Sequence, residues 1–220
     1  MEIKTLYSSD RYIVVDKPCG LLSDNNLVLG YLPCHRLDRE TSGCIVLAKD
    51  QKTKDLIQIE FKSRKVRKTY KTLVYGDIRK TVAQVFGSKS DEFTINAPVS
   101  RNPVAKVKFA IVKDGKDSVT DFIINDVVTD SNNEKFSLIT CMPKTGRTHQ
   151  IRVHLSSIGH PVVGDQMYAG EKRSIEAREE MDRMYLHASA IEFIDPYTNE
   201  LISVSCPLPK LLSDFLVKED

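Results

Sequence analysis

Alternation of apolar and polar positions organises most of this chain. Tyr12 to Val15 predicts a strand, stopped by the turn signal Lys17-Pro18-Cys19-Gly20. Cys44-Ile45-Val46-Leu47-Ala48 is a short apolar run, as expected of a buried central strand. Asp50 is placed to cap a helix running through about Lys62, with Leu56, Ile57, Ile59 and Phe61 as its apolar face. Thr69 to Tyr75 predicts another strand, closed by Gly76. Val107, Phe109 and Ile111 alternate with Lys106 and Lys108, a pattern for a half-exposed strand. Val119 to Thr129 and Phe136 to Cys141 follow as strands around the turn-rich Asp130-Ser131-Asn132-Asn133.

Beyond them, Thr148 to Ile158 predicts a helix with Ile151, Leu155 and Ile158 on one face and Gly159 as its stop. Ser174 to Met184 is a second, charge-laced helix candidate. Ile191 to Ile194 and Leu201 to Ser205 form a hairpin around Asp195-Pro196-Tyr197-Thr198-Asn199, and Pro209 to Leu216 is a last helix. Strands mostly follow one another without intervening helices. That predicts an α+β fold on a largely antiparallel sheet. No repeat or composition break divides the 220 residues, so a single domain spanning 1–220 is expected.

Composition narrows the class. Apolar residues make up 41%, enough for a core, and no run nears the roughly 20 apolar residues of a membrane span. The N-terminus lacks a secretory pattern. Five scattered cysteines form no C-x-x-C pair, so reduced thiols and a cytoplasmic location are expected. A net charge of +2 is uninformative, but its distribution is not. Between Lys62 and Lys71 stand six cations (Lys62, Arg64, Lys65, Arg67, Lys68, Lys71) and no acid. Such a cluster suits either a solvated surface or salt-dependent contact with RNA phosphates.

Two segments carry candidate chemistry. In His35-Arg36-Leu37-Asp38-Arg39-Glu40-Thr41-Ser42-Gly43, a carboxylate sits between two cations just before a buried strand. Flanking cations keep a carboxylate ionised, as a nucleophile must be. On residues alone the segment reads first as a charged turn before a strand. In Thr145-Gly146-Arg147-Thr148-His149-Gln150-Ile151-Arg152-Val153-His154, Gly146 permits close backbone approach and Arg147 stands where a helix begins and anions are favoured. His149 and His154 are five apart, about 140° around a helix, which argues against a shared metal. Tyr70, among cations, is either a packing residue or a platform for a base.

Taken in order, these segments resemble the RluA-type pseudouridine synthases. The matching blocks are Val15-Asp16-Lys17-Pro18-x-Gly20, His35 to Gly43, Arg67-Lys68-Thr69-Tyr70 with Leu73-Val74-x-Gly76, and Gly115-Lys116-x-x-x-Thr120. Thr145 to His154, Gly159-His160-Pro161-x-x-Gly164-Asp165-x-x-Tyr168 and Leu186-His187-Ala188 complete the set. The resemblance implies a mixed, mainly antiparallel sheet with an RNA-binding cleft, and isomerisation of uridine in ribosomal or transfer RNA. It implies Asp38 as catalytic aspartate, Arg36 as the residue that fills the place of the flipped base, Tyr70 as the aromatic against the uracil, and Arg147 as the cation paired with Asp38. RNA contacts are expected at Arg36, Arg39, Lys68, Arg152 and His154. The reaction needs no cofactor or metal, and RNA is the expected partner of a monomer without membrane association. No N-terminal S4 domain is expected, and departures from the family pattern are a short Gly20–His35 stretch and Asp195-Pro196 where His-Pro is common. A catalytically silent RNA-binding module on the same fold is the alternative.

Overall fold

The computed structural model describes residues 3–87, 89–130, 132–170, 183–210 and 212–213. In chain order the elements are β1 (Thr5–Ser8), β2 (Tyr12–Lys17), β3 (Leu32–Pro33), β4 (Ser42–Ala48), α1 (Gln51–Lys62), β5 (Arg67–Tyr75) and α2 (Ile78–Phe86). They continue with β6 (Glu92–Asn96), β7 (Val99–Arg101), β8 (Phe109–Ile111), β9 (Val119–Thr129), β10 (Lys135–Pro143), α3 (Gln150–Ser157), β11 (Leu186–Ile194) and β12 (Leu201–Ser205). The chain divides into two compact units, one comprising residues up to Tyr70 with His187–Pro207, the other Lys71–Leu186 with the stretch from Leu208 onward.

In the first unit the strand order is β1-β2-β4-β11, with β3 against β4 and β12 against β11. All pairings are antiparallel except β4 with β11, which is parallel. β4 is buried along its whole length, which explains its unbroken apolar run. Tyr12, Val14, Val46, Ile57, Ile191, Phe193 and Val204 form the core. α1 starts where expected: the Asp50 carboxylate accepts from the Thr53 N–H at 2.7 Å. Its apolar face is narrower than the sequence implied, since Ile57 is buried but Ile59 is 51% exposed.

In the second unit β10 pairs with β9 and β9 with β6, all antiparallel, and β7 with β8 makes a separate ribbon. Leu73, Tyr75, Phe136, Val163, Tyr185 and Leu212 form its core. The mixed, mainly antiparallel sheet is as expected; β1, β3 and β6 within it, β7 in the ribbon and the helix α2 are elements the sequence did not predict. The expected strand from Lys106 shrinks to Phe109–Ile111. The Asn102 side chain accepts from Val104 and Ala105 N–H at 2.9 Å each, so the chain turns there and leaves Val107 75% exposed. The helix expected from Thr148 starts at Gln150, because His149 is left-handed at φ 56°. Most of the helix expected at Ser174 to Met184, and much of that at Pro209 to Leu216, lies outside the described residues.

Candidate active site

Asp38 sits, half-buried, on the irregular stretch that enters β4. Its carbonyl accepts from the Thr41 N–H at 3.1 Å, closing a turn. Beyond that turn Thr41 and Ser42 are buried. The Ser42 hydroxyl donates to Nδ1 of His187 at 2.8 Å, and His187 Nε2–H points to the Cys206 carbonyl at 3.3 Å. Gly43 has φ +110°, and an added Cβ would strike the Ala188 backbone. The Thr-Ser-Gly and Leu-His-Ala segments are therefore two halves of one parallel contact, His187 opposite Ser42 and Ala188 opposite Gly43.

Lys17, at the end of β2, is fully buried. Its ammonium donates to the carbonyls of Pro18 (2.9 Å), Leu21 (2.8 Å) and Arg39 (3.1 Å), a buried cation satisfied by oriented carbonyl dipoles. Arg36 and Arg39 are exposed, the latter donating from Nε to the Gly20 carbonyl at 2.9 Å. On β5, Tyr70 is buried and Lys68 half-buried. Burial lowers the Lys68 ammonium to a pKa of about 8. His35 is held lower still, to about 3, by burial and then by the charge of Lys68. Its neutral Nε2 accepts from the Val46 N–H at 3.1 Å, and its ring lies 4.6 Å from that of Phe61. Within the cation cluster, Lys62, Arg64, Lys65 and Arg67 are exposed, whereas Lys71 donates to Thr140 (2.7 Å) and Asn125 (3.1 Å).

In the second unit the Thr145–His154 block is a hydrogen-bonded frame. Gln150 Oε1 accepts from the Thr145 hydroxyl (2.7 Å) and the Arg147 N–H (3.0 Å). Gln150 Nε2 donates to the Val119 carbonyl (3.0 Å) and to Thr120 Oγ1 (2.9 Å). The Thr120 hydroxyl donates to His154 Nδ1 at 3.0 Å, and His154 Nε2–H to the Ala97 carbonyl at 3.1 Å. Arg147 is half-buried, with Nε on the Asp117 carbonyl at 3.0 Å. Arg152 and His154, expected to touch RNA, are instead interior. Arg152 grips Asp165 with Nε at 2.7 Å and a second nitrogen at 2.9 Å, both side chains buried. His154 is fully buried, and burial lowers its pKa. Both hold the unit together, since a buried charge or imidazole is tolerated only with such partners.

Asp38, Arg36, Arg39, Lys68 and Tyr70 thus belong to the first unit and Arg147 to the second. Residues 24–157 match the family model described as RNA pseudouridylate synthase. The chain belongs to this family. Among its curated members, the chain is 31% identical to ribosomal large subunit pseudouridine synthase D of Nitrosomonas europaea, over 94% of its own length and 62% of that enzyme's. It is 30% identical to the dual-specificity RNA pseudouridine synthase RluA of Vibrio parahaemolyticus, over 92% of this chain and 82% of that one. Among solved members, human RNA pseudouridylate synthase domain containing 1 superposes with a TM-score of 0.78 at 28% identity, covering 96% of this chain and 86% of that one. Residues that hold the family motifs in place, Lys17, His35, Gln150 and His187, had no reading of their own in the sequence. All four fall inside matching blocks, but their partners follow only from the fold.

Proposed function

We propose that the protein converts uridine to pseudouridine in ribosomal or transfer RNA, with Asp38 as catalytic aspartate. The observation that carries this is the placement of Asp38: a carboxylate on a backbone fixed at both neighbouring residues, flanked by the exposed Arg36 and Arg39. The named activities of the relatives, on large-subunit ribosomal RNA and of dual specificity, support the substrate class.

The uracil is reached only once its nucleotide leaves the stack, at a cost of a few kcal/mol. Arg36, exposed beside Asp38, is assigned to the vacated position, and Tyr70 to packing against the base, where stacking is worth about 1–3 kcal/mol. Asp38 assists cleavage of the N1–C1′ bond. The base rotates, the C5–C1′ bond forms, the C5 proton departs and N1 regains one. Atoms and electrons balance without a redox or hydrolytic step, so the chemistry calls for no cofactor. Arg147 is assigned as the arginine of the catalytic set, a task for which a planar guanidinium suits better than lysine.

Asp38→Asn is expected to abolish pseudouridine formation, by at least about 1,000-fold, while leaving RNA affinity and the urea midpoint near those of the parent. Full activity in Asp38→Asn would refute the assignment. RNA binding by the parent with every uridine left unchanged would favour a silent binding module.

A further inference from the structure

Both residues next to Asp38 are tied to the short segment after Lys17. On the C-terminal side, the Arg39 carbonyl accepts from the Gly20 N–H at 2.9 Å and from the Lys17 ammonium at 3.1 Å. On the N-terminal side, the Ser23 hydroxyl accepts from the Leu37 N–H at 3.1 Å and donates to the Leu37 carbonyl at 3.0 Å. One hydroxyl thus serves both peptide groups of Leu37, as a paired strand otherwise would. The Leu37 side chain is buried, so replacing that hydroxyl with an apolar group leaves a donor and an acceptor with poor access to water.

Ser23 is itself anchored. Next to it, the Asp24 carboxylate accepts from the Asn26 N–H at 2.9 Å, and the Leu27 N–H reaches the Asp24 carbonyl at 3.1 Å. Leu27 is buried, which pins the far end of this turn.

We propose that Ser23 is a positioning residue for Asp38: its hydroxyl fixes the Leu37 peptide groups, and with them the path of the backbone on which the carboxylate is mounted. The inference rests on Asp38 being the reacting carboxylate. Lys17 and Gly20 fix Arg39 and the Thr41 N–H holds the Asp38 carbonyl, and Ser23 adds a restraint on the N-terminal side. Reacting groups tolerate little displacement, and a shift of about 1 Å costs on the order of 100-fold in rate.

The test compares Ser23→Ala and Ser23→Thr with the parent on unmodified ribosomal and transfer RNA transcripts, alongside hydrogen exchange of the Leu37 amide. Ser23→Ala is expected to lower kcat about 10- to 100-fold with KM changed by less than about threefold, and to speed exchange at Leu37. Ser23→Thr retains the hydroxyl and is expected to restore both. Parental kcat in Ser23→Ala overturns the proposal. So does an equal loss in both variants with Leu37 exchange unchanged, which marks a packing role. Asp38→Asn, assayed in parallel, separates the two readings. Full activity there overturns the assignment of Asp38 itself, whereas an inactive Asp38→Asn beside a fully active Ser23→Ala overturns the role of Ser23 alone.

Discussion

An ammonium half-withdrawn from water holds its proton less tightly, and Lys68 shows the effect, with its pKa brought down to about 8 by burial. It is a cation at neutral pH and largely neutral one unit above that value. If Lys68 contacts RNA, its contribution to affinity is present below pH 8 and is lost as pH rises through it. RNA binding is therefore expected to weaken between pH 7 and pH 9 in the parent. In Lys68→Arg, whose guanidinium does not titrate there, this step should vanish. Lys68→Met is expected to lower the slope of log affinity against log salt by about 1, measured at pH 7. A parental slope in that variant would remove Lys68 from the interface. Its neighbours differ in kind: Arg67 lies 4.0 Å from Glu192 with its side chain 86% exposed, so that pair is worth little.

At the scale of elements, β4 and β11 show how a motif written as three letters becomes a contact. Their backbones meet at Gly43 and Ala188 so closely that no side chain fits, and Gly43 is in the left-handed region besides. Gly43→Ala is expected to destabilise the fold by roughly 3 kcal/mol or more, read as a lower urea midpoint. An unchanged midpoint would mean that the two strands can separate at no cost. The elements also mark what the sequence could disclose. β2, β4, β5, β9, β10 and the β11–β12 hairpin followed from periodicity because each buries one face or both. β6 carries the same signal in Phe93 and Ile95, buried between exposed neighbours. α2 was less visible: Ile78 and Val82 are its buried residues, and Asp77 makes no side-chain capping bond. Its end was written plainly, in Gly87 at φ 65°. The site was legible as a family pattern, whereas its supports were not. The interior partners of Arg152 and His154 were hidden because a sequence cannot tell a surface cation from one locked to Asp165, or an exposed imidazole from one between Thr120 and Ala97.

For the molecule as a whole, two neutral imidazoles withdrawn from water, the half-buried His35 and the fully buried His154, contribute to the response to acid. His35 is held to about 3, mainly by burial and then by Lys68, and burial lowers His154 as well. The unfolded chain takes up these protons near pH 6.5 and the folded one resists, so stability is lost as pH falls from about 6.5 towards 3. Between pH 7 and pH 4.5 the His35 share is expected to be roughly 2 kcal/mol. Urea midpoints at the two pH values measure it, and His35→Gln, which retains an acceptor for the Val46 N–H, should shrink the difference. An undiminished difference would place the acid sensitivity elsewhere. No helix among the described residues is long and apolar enough to cross a membrane.

The lacing of residues 17–23 to 37–40 has a use for anyone redesigning the protein. Lys17, Gly20 and Ser23 are committed to holding the backbone beside Asp38, while Leu21 and Leu22, between the ties to Arg39 and Leu37, leave their side chains exposed at 37% and 58%. Those two positions form a natural randomisation window. A library restricted to them would vary the surface near the carboxylate while leaving untouched the hydroxyl, amine and glycine that fix it in space.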